Sequence, residues 1–373
     1  MTEDDLLLAI HADPDSDGPR LVYADWLQSH GDPLGEYIAL SLQNEPTENV
    51  RARLAELDCE RVWEQRFGGI AYRKRERGMI ASLGLGVGQL EPALVEHLCG
   101  TFIRELSLGS SGVELEDRHL TVLRDALARM HLRHLSFQSV ISPARLAALL
   151  ACVPHVENLA FWTVIDDDAA RVIADASLPK LARLTIEGWR LRDDAPRWIG
   201  DRGAVALAER GGLVELALMN VAIGPEGAAA LVSGRLPLAS LDLSGNPLGA
   251  SGVLAIARGA APLESLTLAG VGLDDEAVAA LANAPTLARL RRLALATNGM
   301  DSGLTRAQLD LLIGSPYLSR ELVLAVDGVA LQMEVFSSPG AAYSDPIDPM
   351  WVGPLPPALE ARFRVEVVGT PKG

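Results

Sequence analysis

Few carboxylates, imidazoles or thiols in this sequence are spaced to act together, so the search for chemistry is short. Asp25 lies in the run Pro19-Arg20-Leu21-Val22-Tyr23-Ala24-Asp25-Trp26-Leu27, and with His11 or His30 as a neighbouring base it has the makings of a catalytic carboxylate. The surroundings argue for structure instead. Asp25 falls in mid-helix beside Tyr23 and Trp26, where it can accept an inter-helix hydrogen bond or pair with Arg20. Gly84-Leu85-Gly86-Val87-Gly88 has the glycines of a phosphate loop but lacks the Lys-Ser/Thr that grips phosphate. Cys59, Cys99 and Cys152 form no CxxC pair and sit in apolar, helix-like contexts, which predicts buried thiols and not a metal site. No dinucleotide, nucleophile-elbow or HExxH motif occurs. The expectation is therefore a non-enzyme with no cofactor and no metal.

The elements that could position any site are announced by a phrase that recurs along the chain. It runs IRELSL at 103, LRHLSF at 132, VENLAF at 156, LARLTI at 181, LVELAL at 213, LASLDL at 238, LESLTL at 263 and LRRLAL at 290, with a weaker copy from Met79. The second anchors are Leu83, Leu106, Leu135, Leu159, Leu184, Leu216, Leu241, Leu266 and Leu293, separated by 23, 29, 24, 25, 32, 25, 25 and 27 residues. A fixed period of this size marks a stacked repeat, because no single copy can bury its own leucines. The LxLxL alternation makes a short strand with one buried face, and segments such as 251–258 and 275–282 space apolar residues as an outer helix does. The long 32-residue step contains 193–202, expected to be a rim insertion.

This pattern resembles the leucine-rich repeat family over roughly Met79 to Tyr317, and the helical outer segments resemble its ribonuclease-inhibitor-like class. The resemblance implies an α/β solenoid, with a curved parallel sheet inside and helices outside. Asn246 fills the family's asparagine position, as does Asn298. Val140, Val164, Trp189, Val221 and Val271 stand there in other repeats, so a continuous asparagine ladder cannot form and those turns must satisfy their backbone otherwise.

An open solenoid needs caps. Residues 1–77 read as helices over 3–11, 19–30, 34–44 and 47–67, with Pro19 at a helix start and Gly31 just past an end. The run PRLVYADWLQSHGDPLGEYI resembles the short repeat-companion domain that bacteria couple to repeat arrays, a resemblance that brings no activity with it. At the other end, 318–373 reads as a β-rich cap, with a hairpin over 321–336 turning at Asp327-Gly328, a Pro/Gly-rich loop, and a strand over 361–369.

Charge narrows the partners. The net charge is -16, and the segment to Glu48 holds eleven acids and one base, so nucleic acid is not an expected ligand. The exception, Arg73-Lys74-Arg75-Glu76-Arg77, reads as a solvated or solenoid-packed linker that the acidic segment attracts. Three lysines against thirty arginines point to a GC-rich bacterial genome. The acidic start MTEDDLLLAI and the lack of a long apolar run predict a cytoplasmic protein with no membrane partner.

What remains for function is the strand face opposite the leucines. Most of its positions are small, but His134, Gln138, Asn158, Trp162, Arg183, Glu187 and Met219 form a patch of large residues, with Asp242 in the middle row. A Trp beside Arg and Met has the composition of a binding hot spot, which predicts a scaffold that holds a protein partner there. The family resemblance leaves two alternatives open: a regulator of a small GTPase, or a subunit of a larger bacterial signalling or defence assembly.

Overall fold

The computed structural model describes residues 2–57, 72–91, 102–109, 113–188, 198–295, 304–327 and 357–368. It divides into two units, residues 1–163 with 176–181, and residues 164–175 with 182–373.

The first unit opens with four helices, α1 (Glu3–Ala12), α2 (Gly18–Ser29), α3 (Pro33–Ser41) and α4 (Glu48–Leu57). Local sequence sets their ends. Thr2 and Asp5 form a reciprocal capping box at α1, and three acids in the first turn complement the helix dipole. Gly31, at φ +74°, ends α2, and Asp32 Oδ1 then caps α3 by accepting from Leu34 N at 2.9 Å. Leu6, Leu7, Ile10, Tyr23, Leu27 and Ile38 make the buried core of this bundle. Gly35 lets α2 and α3 touch, since a Cβ there would stand 2.3 Å from Ala24 O. Within residues 47–67, expected as one long helix, α4 covers Glu48–Leu57 and the remainder lies outside the described residues.

The basic run expected as a linker is instead a strand. β1 (Tyr72–Glu76) pairs antiparallel with β2 (Met79–Leu85) through a tight turn in which Arg77 and Gly78 have φ of +50° and +78°. Two successive positive-φ residues match the right-handed twist of a hairpin, and this backbone preference outweighs the weak strand propensity of an Arg/Lys run. The expected attraction to the acidic segment is met at the same turn. Arg77 Nη1 lies 2.6 Å from Asp17 Oδ1 and donates to Asp15 O at 2.5 Å. The unit continues with β3 (Glu105–Leu108), α5 (Asp117–Arg129), β4 (His134–Phe137), α6 (Pro143–Leu150) and β5 (Asn158–Phe161), with β2 to β5 parallel in chain order.

The second unit repeats the scheme. It contains α7 (Asp167–Asp175), β6 (Arg183–Glu187), α8 (Asp201–Arg210), β7 (Glu215–Met219), α9 (Pro225–Leu231), β8 (Ser240–Asp242), α10 (Gly249–Arg258), β9 (Ser265–Thr267), α11 (Asp275–Ala282), β10 (Arg292–Ala294), α12 (Arg306–Ile313), β11 (Val323–Asp327), α13 (Pro357–Arg362) and β12 (Arg364–Val368). Strands β6 to β12 lie parallel in chain order, in the register Arg183–Glu215–Ser240–Ser265–Arg292 read from the leucine phrase. All nine anchor leucines in the two units are at most 2% exposed. β11 occupies the first arm of the expected hairpin, and its second arm lies outside the described residues. The strand expected over 361–369 is β12.

Two devices tie consecutive repeats of this unit together. Asp167 Oδ1 accepts from Gly200 N and Gly203 N, both at 2.8 Å, and so satisfies the exposed amides at the start of α8. Asp201 does the same for α9, accepting from Gly224 N at 2.7 Å and Gly227 N at 2.8 Å. Asn246, 1% exposed, reaches backwards: Nδ2 donates to Leu218 O (2.6 Å) and Leu243 O (2.8 Å), while Oδ1 accepts from Ile223 N (3.0 Å). Where valine replaces this asparagine, backbone pairs with backbone, as anticipated. Val140 N donates to Val113 O at 3.1 Å in the first unit, and Gly249 N to Val271 O at 3.3 Å in the second.

Candidate functional site

The alternation of each strand puts its leucines inside and leaves the intervening residues on the opposite face. In the first unit this face carries four of the expected site residues. Phe137 and Phe161, both fully buried, stack with centroids 5.2 Å apart and fix the strand ends. Immediately beyond them, Gln138 N donates to Leu108 O at 2.9 Å and Trp162 N to Phe137 O at 2.8 Å. Both backbones are thus pinned while the side chains emerge; Gln138 is exposed and Trp162 is 37% exposed. Beside them the row Ser107, Ser136 and Ala160 is small and half-buried. His134 and Asn158, at the strand starts, are register partners, and Asn158 Nδ2 lies 3.1 Å from His134 Nδ1. That bond draws Asn158 down to 6% exposure, so it orients His134 and presents little surface itself.

The other four lie in the second unit. Arg183 and Glu215 form an ion pair at 3.5 Å with both side chains about half exposed, a geometry worth little in stability. Glu187 and Met219 are register partners and half-buried. Asp242 Oδ1 accepts from Ser244 N at 2.9 Å and Ser244 Oγ at 2.5 Å. Burial pushes the Asp242 carboxyl up, against the lowering effect of the two Ser244 bonds.

No catalytic constellation is assembled around Asp25. It is exposed, and Arg20, one of the two structural partners the sequence offered it, bonds to Ser16 O instead. Arg20 is fully buried, donates to Ser16 O at 2.8 Å and lies 5.0 Å over the Phe102 ring. His30 lies tilted against Trp26 with centroids 4.0 Å apart, its Nδ1 2.7 Å from Trp26 O. Cys152 is half-buried with Sγ 3.3 Å from Ala148 O, and no metal-ligating cluster occurs among the described residues. Two open surface depressions, of about 360 and about 480 Å³, lie away from the strand face, the first bounded by Asp117 and Arg124 and the second by Val87 and His119.

A family model described as leucine-rich repeat matches residues 237–257, the copy that holds Asn246. In each unit, parallel strands alternate with helices in chain order, which is the fold of a leucine-rich repeat solenoid. No curated protein matches the chain. Among solved structures, the chain is similar to one from the complex of Rad7 and Elc1 in yeast, at 15% identity and a TM-score of 0.35, covering 66% of this chain and 69% of that one. It is also similar to one from a TLR13–ssRNA13 complex, at 15% identity and a TM-score of 0.25, covering 67% of this chain and 43% of that one. Among the described residues, no helix of the solenoid is long and apolar enough to cross a membrane.

Sequence reasoning missed how the N-terminal helices meet the first repeats. The signal was present: Phe102, His131 and His155 each stand three residues before the first residue of β3, β4 and β5.

Proposed function

We propose that the chain is a non-enzymatic scaffold that docks a protein partner on the strand face of its first unit, centred on Trp162. The carrying observation is a tryptophan that is 37% exposed although its backbone is fixed by a ladder hydrogen bond and a buried Phe pair. Such an anchor pays its ordering entropy on folding, so little is left to lose on binding, as in interface hot spots. Gln138 and the His134 held by Asn158 supply polar contacts beside it, and the Ser107–Ser136–Ala160 row gives a flat shelf. Arg183, Glu187, Met219 and Asp242 are candidate contacts on the corresponding face of the second unit. In this reading residues 1–77 are a repeat-companion domain, 78–317 the solenoid and 318–373 a C-terminal cap, in a cytoplasmic bacterial protein.

The test compares wild type and Trp162→Ala as baits in native lysate, with matched melting curves. Loss of a specific, stoichiometric partner from the variant alone supports the reading. An identical captured set, or no specific partner with either bait, overturns it.

A further inference from the structure

In the first unit, rings from two sequence-distant regions interleave. Phe102, His131 and His155 come from the segments entering β3, β4 and β5, and His11 comes from the last turn of α1. His11 inserts between Phe102 (centroids 5.0 Å) and His131 (4.7 Å), and His131 stacks on His155 at 5.9 Å. Cations surround the insertion. Arg20 lies 5.0 Å and Arg104 5.8 Å over Phe102, and Arg133 adds a third charge near His11. The nearby acids are already engaged: Glu76 with Arg104 (3.8 Å), Glu157 with Arg133 (3.6 Å) and Asp17 with Arg77 (2.6 Å). Arg20 is fully buried, with Nε and Nη2 lacking any hydrogen-bond partner. Among the described residues no carboxylate hydrogen-bonds His11, His131 or His155.

A neutral imidazole stacks in this slot as any flat ring does. A protonated one places a cation against three guanidiniums and a second imidazole, with no counter-charge in contact. We propose that this ring column is a proton-operated latch, which holds α1 on the first repeats while neutral and releases it when His11 is protonated. The same physics governs the titration. Burial, then His131, Arg104, Arg133 and Arg20, hold His11 down at about 4, and burial followed by His155 lowers His131. Release uncovers Phe102, 2% exposed when docked, and lifts Leu6, Leu7 and Ile10, each at most 5% exposed, out of the helical-bundle core that they share with Tyr23, Leu27 and Ile38.

Hydrogen exchange on the full chain, corrected for intrinsic rates, tests this between pH 7.5 and 4.5. Linkage from an ordinary imidazole at 6.5 to about 4 raises the opening constant of α1 on the order of tenfold at pH 5.5 and about seventyfold at pH 4.5. Peptides over α5 and β4 are expected to stay protected. His11→Phe keeps a ring and cannot titrate, so its α1 opening should lose most of its pH dependence, with only the smaller share from His131 left. If Phe is too large for the slot and α1 is open at pH 7.5, His11→Gln supplies the non-titrating reference. A pH response that persists undiminished in both variants, or opening of α1 only in step with α5 and β4, overturns the latch.

Discussion

Replacement of Asn246 by alanine should cost more than any other single polar change in the second unit. The wild-type amide is 1% exposed and serves four backbone groups of two adjacent turns: Ile223 N–H, the carbonyls of Leu218 and Leu243, and that of Ser244, which also accepts from Asn220 N. Alanine leaves the first three of these without that partner in a place water does not reach. An orphaned buried N–H costs ~2 kcal/mol and each under-satisfied carbonyl ~0.5–1.5 kcal/mol, so the total is ~3–5 kcal/mol. With a urea m-value of ~2–3 kcal/mol/M, the midpoint of the transition carrying this unit falls by ~1–2 M. Asn246→Asp sharpens the argument. The carboxylate still accepts from Ile223 N but turns two donated bonds into oxygen–oxygen repulsions, so it should be no better than alanine. Urea unfolding followed by circular dichroism measures both. A loss below ~1 kcal/mol in Asn246→Ala would refute the claim that this side chain locks two repeats.

Further outcomes follow from the same structure. Trp162→Ala should leave the urea midpoint nearly unchanged, with a loss below ~1 kcal/mol, because the residue is 37% exposed and its fixing contacts are backbone; a larger loss in the same melts assigns it to packing. Asp201→Ala should destabilise by ~1–2 kcal/mol by uncapping α9, and Asp201→Asn, which keeps one neutral acceptor, by less than half of that in parallel urea titrations. Asp242 holds its proton more tightly folded than unfolded. Its contribution is therefore fully present below the ordinary carboxyl range and lost as pH rises through the raised value. Asp242→Asn should accordingly raise the melting temperature at pH 7, with the gain shrinking towards pH 3; a lower melting temperature at pH 7 contradicts the burial argument.

The strand register was legible because leucine spacing and β alternation impose it together, and a slip of one residue would turn Leu135 or Leu241 to the outside. The bounds of α2 were legible to within a residue, because Pro19 marks its start and Gly31 lies just past its end. β1 was not, because its pairing rests on the backbone twist at Arg77-Gly78 and not on apolar periodicity. On the candidate face, alternation placed Trp162 and Gln138 outside. It could not show that Asn158 would turn inward, since that follows from a bond to His134 on the neighbouring strand. The His11 insertion escaped for a related reason: it joins residues more than ninety positions apart, and no local pattern records a contact at that separation.

The ties within the second unit also set an order of assembly. Asp167 is synthesised before the amides of Gly200 and Gly203 that it caps, so it waits for its helix. Asn246 follows the turn at Leu218 and Ile223 that it secures, so that turn stays unlocked until the next strand exists. A chain cut between Ile223 and Asn246 therefore strands a finished repeat without its lock, and a chain begun after Asp167 starts with an uncapped helix. Shortened forms of this array should be sticky and protease-sensitive at the last repeat they contain, well short of the cut itself.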